Sequence, residues 1–113
     1  MAPTTMENQI TKTSPRGREV ADVGYPIKAC EMLNTLESPV YIERTSVHDV
    51  KNIKKTKKAI YKALKNQRDG RGYSFVEILS MCPTNWGVQP QVGADWVRDT
   101  MVPYYPLGNF RDR

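Results

Sequence analysis

Cys82 is the residue of this chain best placed to do chemistry. A thiolate is both a nucleophile and a soft metal ligand. Cys82 stands in the run Tyr73-Ser-Phe-Val-Glu-Ile-Leu-Ser-Met-Cys-Pro-Thr-Asn-Trp-Gly87, where an apolar, strand-like stretch stops at a proline. Pro83 cannot donate to a β ladder. The thiol and the side chains of Thr84 and Asn85 therefore fall just past the carboxyl end of a strand, the edge at which open α/β sheets bind ligands. Thr84 and Asn85 could orient such a site, or cap the turn through side-chain to backbone bonds. Cys30 lies on the apolar side of an expected helix and reads as a small core residue. His48 precedes an N-cap, and a general-base role would require a hydrogen-bonded partner. One histidine and two cysteines complete no zinc site and no disulfide framework.

The elements that must position these residues follow from periodicity. Pro26 suits the first turn of a helix, and Ile27, Ala29, Cys30, Leu33 and Leu36 continue it at helical spacing until Glu37-Ser38-Pro39 stops it. Val40–Thr45 reads as a strand. Asp49 is an N-cap for a helix whose apolar stripe is Val50, Ile53, Ile60 and Leu64, interrupted by Lys57. Gln67–Gly72 ends that helix, with Gly70 able to take a left-handed conformation. A second strand covers Ser74–Leu79. A last helix is expected from Pro90 to Met101, with Val92, Trp96, Val97 and Met101 on its apolar face. Trp86 and Trp96 read as packing residues. The tail Pro103–Gly108 is proline-fixed and expected to be irregular.

Strand, helix, strand is a βαβ unit, so the fold class is α/β, with parallel strands and flanking helices. Both strands are apolar at nearly every position, as in the middle of a larger sheet. Residues 1–23 lack hydrophobic periodicity and are rich in Thr, Pro, Gly and charge. They are expected to form an irregular arm, flexible or docked on something else, with residues 24–113 forming the folded part. No apolar run approaches the roughly 18 residues needed to span a bilayer, and no secretory signal is visible. A cytoplasmic setting is expected. The net charge of +5 is concentrated in seven lysines between Lys51 and Lys65. That segment lacks interleaved aromatics and any nucleic-acid motif, so a solvated helix face is expected rather than a nucleic-acid site.

Four landmarks carry a resemblance over nearly the whole chain. They are Met1-Ala-Pro-Thr-Thr5 with Thr13-Ser-Pro-Arg-Gly-Arg18; Gly24-Tyr-Pro-Ile27; Tyr41-Ile-Glu-Arg44 with Asp49-Val-Lys-Asn-Ile53; and Ser80-Met-Cys-Pro-Thr-Asn-Trp-Gly87 with Tyr105-Pro-Leu-Gly108. Together they resemble the C-terminal part of the thiamine-diphosphate-binding β subunit of 2-oxoacid:ferredoxin oxidoreductases, of the 2-ketoisovalerate or 2-oxoglutarate type. The resemblance implies a partial thiamine-diphosphate-binding fold. It also implies a parent reaction, the oxidative decarboxylation of a 2-oxoacid to acyl-coenzyme A with reduction of ferredoxin.

The resemblance further implies that Cys82 is one thiolate ligand of a [4Fe–4S] cluster in the parent enzyme. It places Thr4 and Thr5 in the loop beside the diphosphate and magnesium, the alternative being a solvated Thr-rich arm. The family's Gly-Asp-Gly segment, its Cys-x-x-Cys and its third cysteine match nothing in this chain and would lie upstream. The chain is therefore expected to be inactive alone and to hold no cofactor alone. Its expected partners are other oxidoreductase subunits or a separate N-terminal half, with ferredoxin met through the parent enzyme; attraction of acidic ferredoxin by the lysine-rich face is a subsidiary expectation. The alternative is a non-catalytic interaction module that completes its sheet against another chain or a second copy.

Overall fold

The computed structural model describes residues 2–113; Met1, the first residue of the expected arm, lies outside them. The order of elements is α1 (Val20–Val23), α2 (Ala29–Leu33), β1 (Pro39–Ser46), α3 (Val50–Arg68), β2 (Tyr73–Leu79), α4 (Pro83–Trp86), α5 (Pro90–Trp96), a π turn (Val97–Met101), α6 (Val102–Tyr104) and β3 (Gly108–Asp112). The sheet runs β2-β1-β3. β1 and β2 are parallel, with Ile42 opposite Phe75 and Ser46 opposite Leu79. The fold is α/β, and β1–α3–β2 is the expected βαβ unit.

The sheet has a third strand that the periodicity does not suggest. β3 pairs antiparallel with β1, Tyr41 opposite Asp112, so the sheet is mixed rather than a lone parallel pair. Asn109-Phe-Arg-Asp112 carries one large apolar residue among polar ones. Arg111 explains why it docks, since its guanidinium donates to the carbonyls of Leu36, Pro39 and Asn34 at 2.5–3.1 Å.

Two helices differ from expectation. The first is shorter, because residues 24–28 are not helical and Lys28 is the N-cap of α2. The last runs on to Tyr104, so Pro103 and Tyr104 are helical rather than irregular. Val102 N–H bonds back to Val97 O across the π turn. That wider turn carries the helix past Pro103, whose ring and missing N–H break a regular ladder.

α3 packs through an unexpected face. Its buried residues are Thr56, Ala59 and Asn66, whereas Val50, Ile53, Ile60 and Leu64 are 36–69% exposed. Small and hydrogen-bonding side chains let the helix approach the sheet closely. Thr56 Oγ1 donates to Ser46 O at 2.9 Å, and Asn66 Nδ2 donates to Ser74 Oγ at 3.2 Å.

Residues 2–23 are irregular apart from α1, but they are docked on the rest of this chain. Buried Arg18 gathers the carbonyls of Pro3, Thr5, Gly24 and Tyr25. Gly17, at φ +82°, allows the loop to close, since a side chain there would meet the backbone of Asn8. Met6 enters the core with Leu79, Val97, Met101 and Tyr105. A charged side chain satisfied by backbone oxygens thus substitutes for the apolar surface this segment lacks.

Candidate functional site

Cys82 is placed as its sequence position suggests. β2 ends at Leu79, and Cys82 is the exposed N-cap of α4, with Pro83 in the first turn. Trp86 N–H donates to Cys82 O at 2.9 Å. Gly87, left-handed at φ +67°, closes the turn and donates to Pro83 O at 2.8 Å. Asn85 joins this turn to the N-terminal loop. Its carbonyl accepts from Lys12 N–H at 2.8 Å and its Oδ1 from Thr13 Oγ1 at 3.5 Å. Trp86 and Trp96 meet edge to face, 5.2 Å between centroids. With Ile10, Val88 and Val92 they line an open cavity of about 420 Å³.

Thr4 and Thr5 lie in the loop that packs Met6 against Leu79, three residues before Cys82. Their backbone is engaged internally. Thr4 O accepts from Tyr105 O–H at 3.4 Å. Thr5 N–H donates to Ala2 O at 3.1 Å, and Thr5 O accepts from Arg18 at 3.2 Å. Thr5 is buried and Thr4 half-buried. Magnesium with a diphosphate calls for converging oxygen ligands, and a [4Fe–4S] cluster for several thiolates. Among the described residues no group of three or more His, Cys, Asp or Glu side chains converges, and Cys30 is buried while Cys82 is exposed. The described residues alone complete neither ligand set. Cys82 can offer one thiolate to a site completed from elsewhere.

His48 has the partners that the sequence left open. Its Nδ1 lies 2.6 Å from Ser46 Oγ and its Nε2 lies 3.2 Å from Asp49 Oδ2. With Nε2–H donating to Asp49, Nδ1 accepts the Ser46 hydroxyl proton. This is a Ser–His–Asp row, but Ser46 is 0% exposed and its Oγ also accepts from His48 N–H at 3.3 Å. A nucleophile must reach a substrate carbonyl, and Ser46 is sealed. The row instead fixes the β1–α3 turn, where Asp49 Oδ1 caps the helix by accepting from Asn52 N–H at 2.7 Å. That bond, first among the causes, holds the Asp49 carboxyl below its usual range.

The most tightly bound charge is one that sequence reasoning missed. Arg44, fully buried in β1, makes a two-pronged pair with Glu31 of α2 at 2.9 and 2.5 Å. Its Nε donates to Glu77 of β2 at 2.8 Å, and Nη1 to Pro106 O at 3.3 Å. The rings of Tyr105 and Phe110 lie 5.2 Å from its guanidinium carbon. Burial acts to lower its pKa, but the bonds to Glu31 and Glu77 prevail and raise it. Arg44 holds Glu31 below the ordinary carboxylate range. Beside it, burial and the hydrogen bond to Glu77 push the Cys30 thiol up to about 12. Alternation within β1 and β2, which puts Arg44 and Glu77 on one face, is the signal that could have found this network.

No family model matches the chain, and no solved structure matches it. Two curated relatives do. The chain is 47% identical over all 113 residues to ketoisovalerate oxidoreductase subunit VorA of Methanothermobacter marburgensis. It is 46% identical over the same length to the protein of that name from Methanothermobacter thermautotrophicus. The chain spans 24% of the length of each relative. Among the described residues no helix is long and apolar enough to cross a membrane.

Proposed function

We propose that this chain is a segment of the thiamine-diphosphate-dependent subunit of a 2-oxoacid:ferredoxin oxidoreductase acting on 2-oxoisovalerate or a similar branched 2-oxoacid. Identity of 46–47% to the ketoisovalerate oxidoreductase subunits over all 113 residues is the observation that carries this reading. The relatives' name, subunit VorA, does not carry the β-subunit assignment, which rests only on the resemblance of the Ala2–Thr5 loop and of Cys82. The position of Cys82, exposed just beyond the carboxyl end of a parallel strand, supports a role as one thiolate of a [4Fe–4S] site whose other ligands come from outside this chain. The loop of Thr4 and Thr5, packed toward the same strand end, would border the diphosphate. Thiamine diphosphate supplies the carbanion chemistry when bound; this chain supplies positioning. Other subunits of the enzyme and ferredoxin are its partners in this reading.

Two measurements test it. The purified chain, given 2-oxoisovalerate, coenzyme A, thiamine diphosphate, magnesium and ferredoxin, is expected to show no turnover, and turnover would overturn the segment reading. Within the assembled enzyme, Cys82→Ser is expected to bleach the iron–sulfur absorbance and abolish ferredoxin reduction. An unchanged cluster spectrum would remove Cys82 from the ligand set.

A further inference from the structure

β2 is an edge strand with few of the features that protect edges. Natural edge strands carry lysine, proline, a bulge or an inward-pointing charge, or are covered. Tyr73-Ser-Phe-Val-Glu-Ile-Leu79 has no lysine and no proline, and its single charge, Glu77, is turned inward to Arg44. Ser74 bonds to Asn66 of α3, so by alternation Val76 and Ile78 share the α3 face. Ile78 is exposed there.

The exposed stripe of α3 continues this surface. Lys62 pairs with Asp112 of β3 and lies over Tyr41, and Lys55 and Lys58 line the same hollow as Asn109. The lysine flank thus faces β3. At roughly 100° per residue, Ile53, Ile60 and Leu64 fall on the opposite flank, above the open side of β2. Among the lysines of α3 only Lys57 stands beside this apolar stripe, and the other six lie away from it.

We infer that β2 and the Ile53–Ile60–Leu64 stripe receive a further strand–helix unit, contributed by the same subunit from outside these 113 residues. This rests on the reading of the chain as one segment of a longer subunit. The relatives carry the remaining three-quarters of their length elsewhere. The incoming strand hydrogen-bonds the free edge of β2, and its helix lays an apolar stripe against α3. That arrangement accounts for the apolar, parallel character of β2, which belongs in the interior of a sheet.

Hydrogen–deuterium exchange tests the inference. The isolated chain is compared with a hybrid in which its residues replace the matching segment of the Methanothermobacter marburgensis subunit. Amides of Tyr73–Leu79 are expected to exchange at least about tenfold more slowly in the hybrid, with β3 much less changed. Ile60→Glu with Leu64→Glu, both at exposed positions, is expected to leave the melt of the isolated chain unchanged and to reverse that protection. Equal exchange in both contexts, or protection confined to β3, overturns the inference. So does a dimer of the isolated chain that the double substitution dissolves, because a second copy is then the occupant. Should the hybrid fail to fold, the native relative with the matched substitutions is read in the same way. The readout needs no cofactor, so protection without thiamine diphosphate binding counts against the functional reading alone.

Discussion

At the scale of single residues, the two cysteines and Arg44 separate reactivity from structure. Cys82 is exposed and Cys30 fully buried, with its thiol pushed up to about 12 by burial. Iodoacetamide at pH 8 is therefore expected to alkylate Cys82 alone, and Cys30 only after denaturation; mass spectrometry of the labelled peptides decides this. Arg44 is the residue whose loss should cost most. Arg44→Met removes the cation between Glu31 and Glu77 and leaves two carboxylates facing each other, one of them largely buried. Breaking a buried ion pair in this way costs about 3–5 kcal/mol, measurable by urea denaturation. The pair also sets a pH dependence. Because the folded-state pKa of Glu31 lies below its ordinary 4.5, the stabilisation is complete above that value and is lost as pH falls below it. Wild-type stability should therefore decline more steeply below about pH 4.5 than that of Arg44→Met, in parallel urea series.

At the scale of elements, α3 shows what the sequence discloses and what it withholds. Its limits were legible, because Asp49 caps it and Gly70 follows its end. So were β1, β2 and the parallel order they impose. The buried face was not. The largest apolar residues mark a stripe at helical spacing, yet the helix turns Thr56, Ala59 and Asn66 inward, because close approach to the sheet favours small side chains and the stripe stays exposed among the described residues. Ala59→Leu should therefore cost about 1–3 kcal/mol by overpacking. Leu64→Lys, at the apolar position, should change the stability of the isolated chain by less than about 0.5 kcal/mol. Thermal melts of the two variants would invert this order if the apolar stripe were the packed face. β3 and the docked N-terminal loop escaped a periodicity reading for a related reason. Both are held by arginine to carbonyl bonds, Arg111 in one and Arg18 in the other, and such bonds leave no period in the sequence. The Ser46–His48–Asp49 row was equally hidden, since it depends on how a turn folds.

At the scale of the whole molecule, charge is segregated. The net charge of +5 comes with seven lysines on α3, between Lys51 and Lys65. Lys62 is paired with Asp112, whereas Lys51, Lys54, Lys55, Lys57, Lys58 and Lys65 stand exposed. A one-sided positive field of this kind speeds encounter with an acidic partner more than it tightens the final complex. In the proposed enzyme the soluble electron acceptor is the partner that must arrive and leave on every turnover. The second-order rate constant for ferredoxin reduction by the assembled enzyme should then fall about tenfold between roughly 0.01 and 0.15 M salt, as the screening length shrinks from about 30 Å to about 8 Å. Lys54→Glu with Lys58→Glu should flatten that dependence while leaving the maximal rate at saturating ferredoxin unchanged, because both side chains are solvated and neither approaches Cys82 through any bonded contact. Stopped-flow reduction at a series of ionic strengths measures both effects. A rate constant indifferent to salt would mean that the lysine face of α3 does not steer ferredoxin and serves only to keep that side of the helix in water.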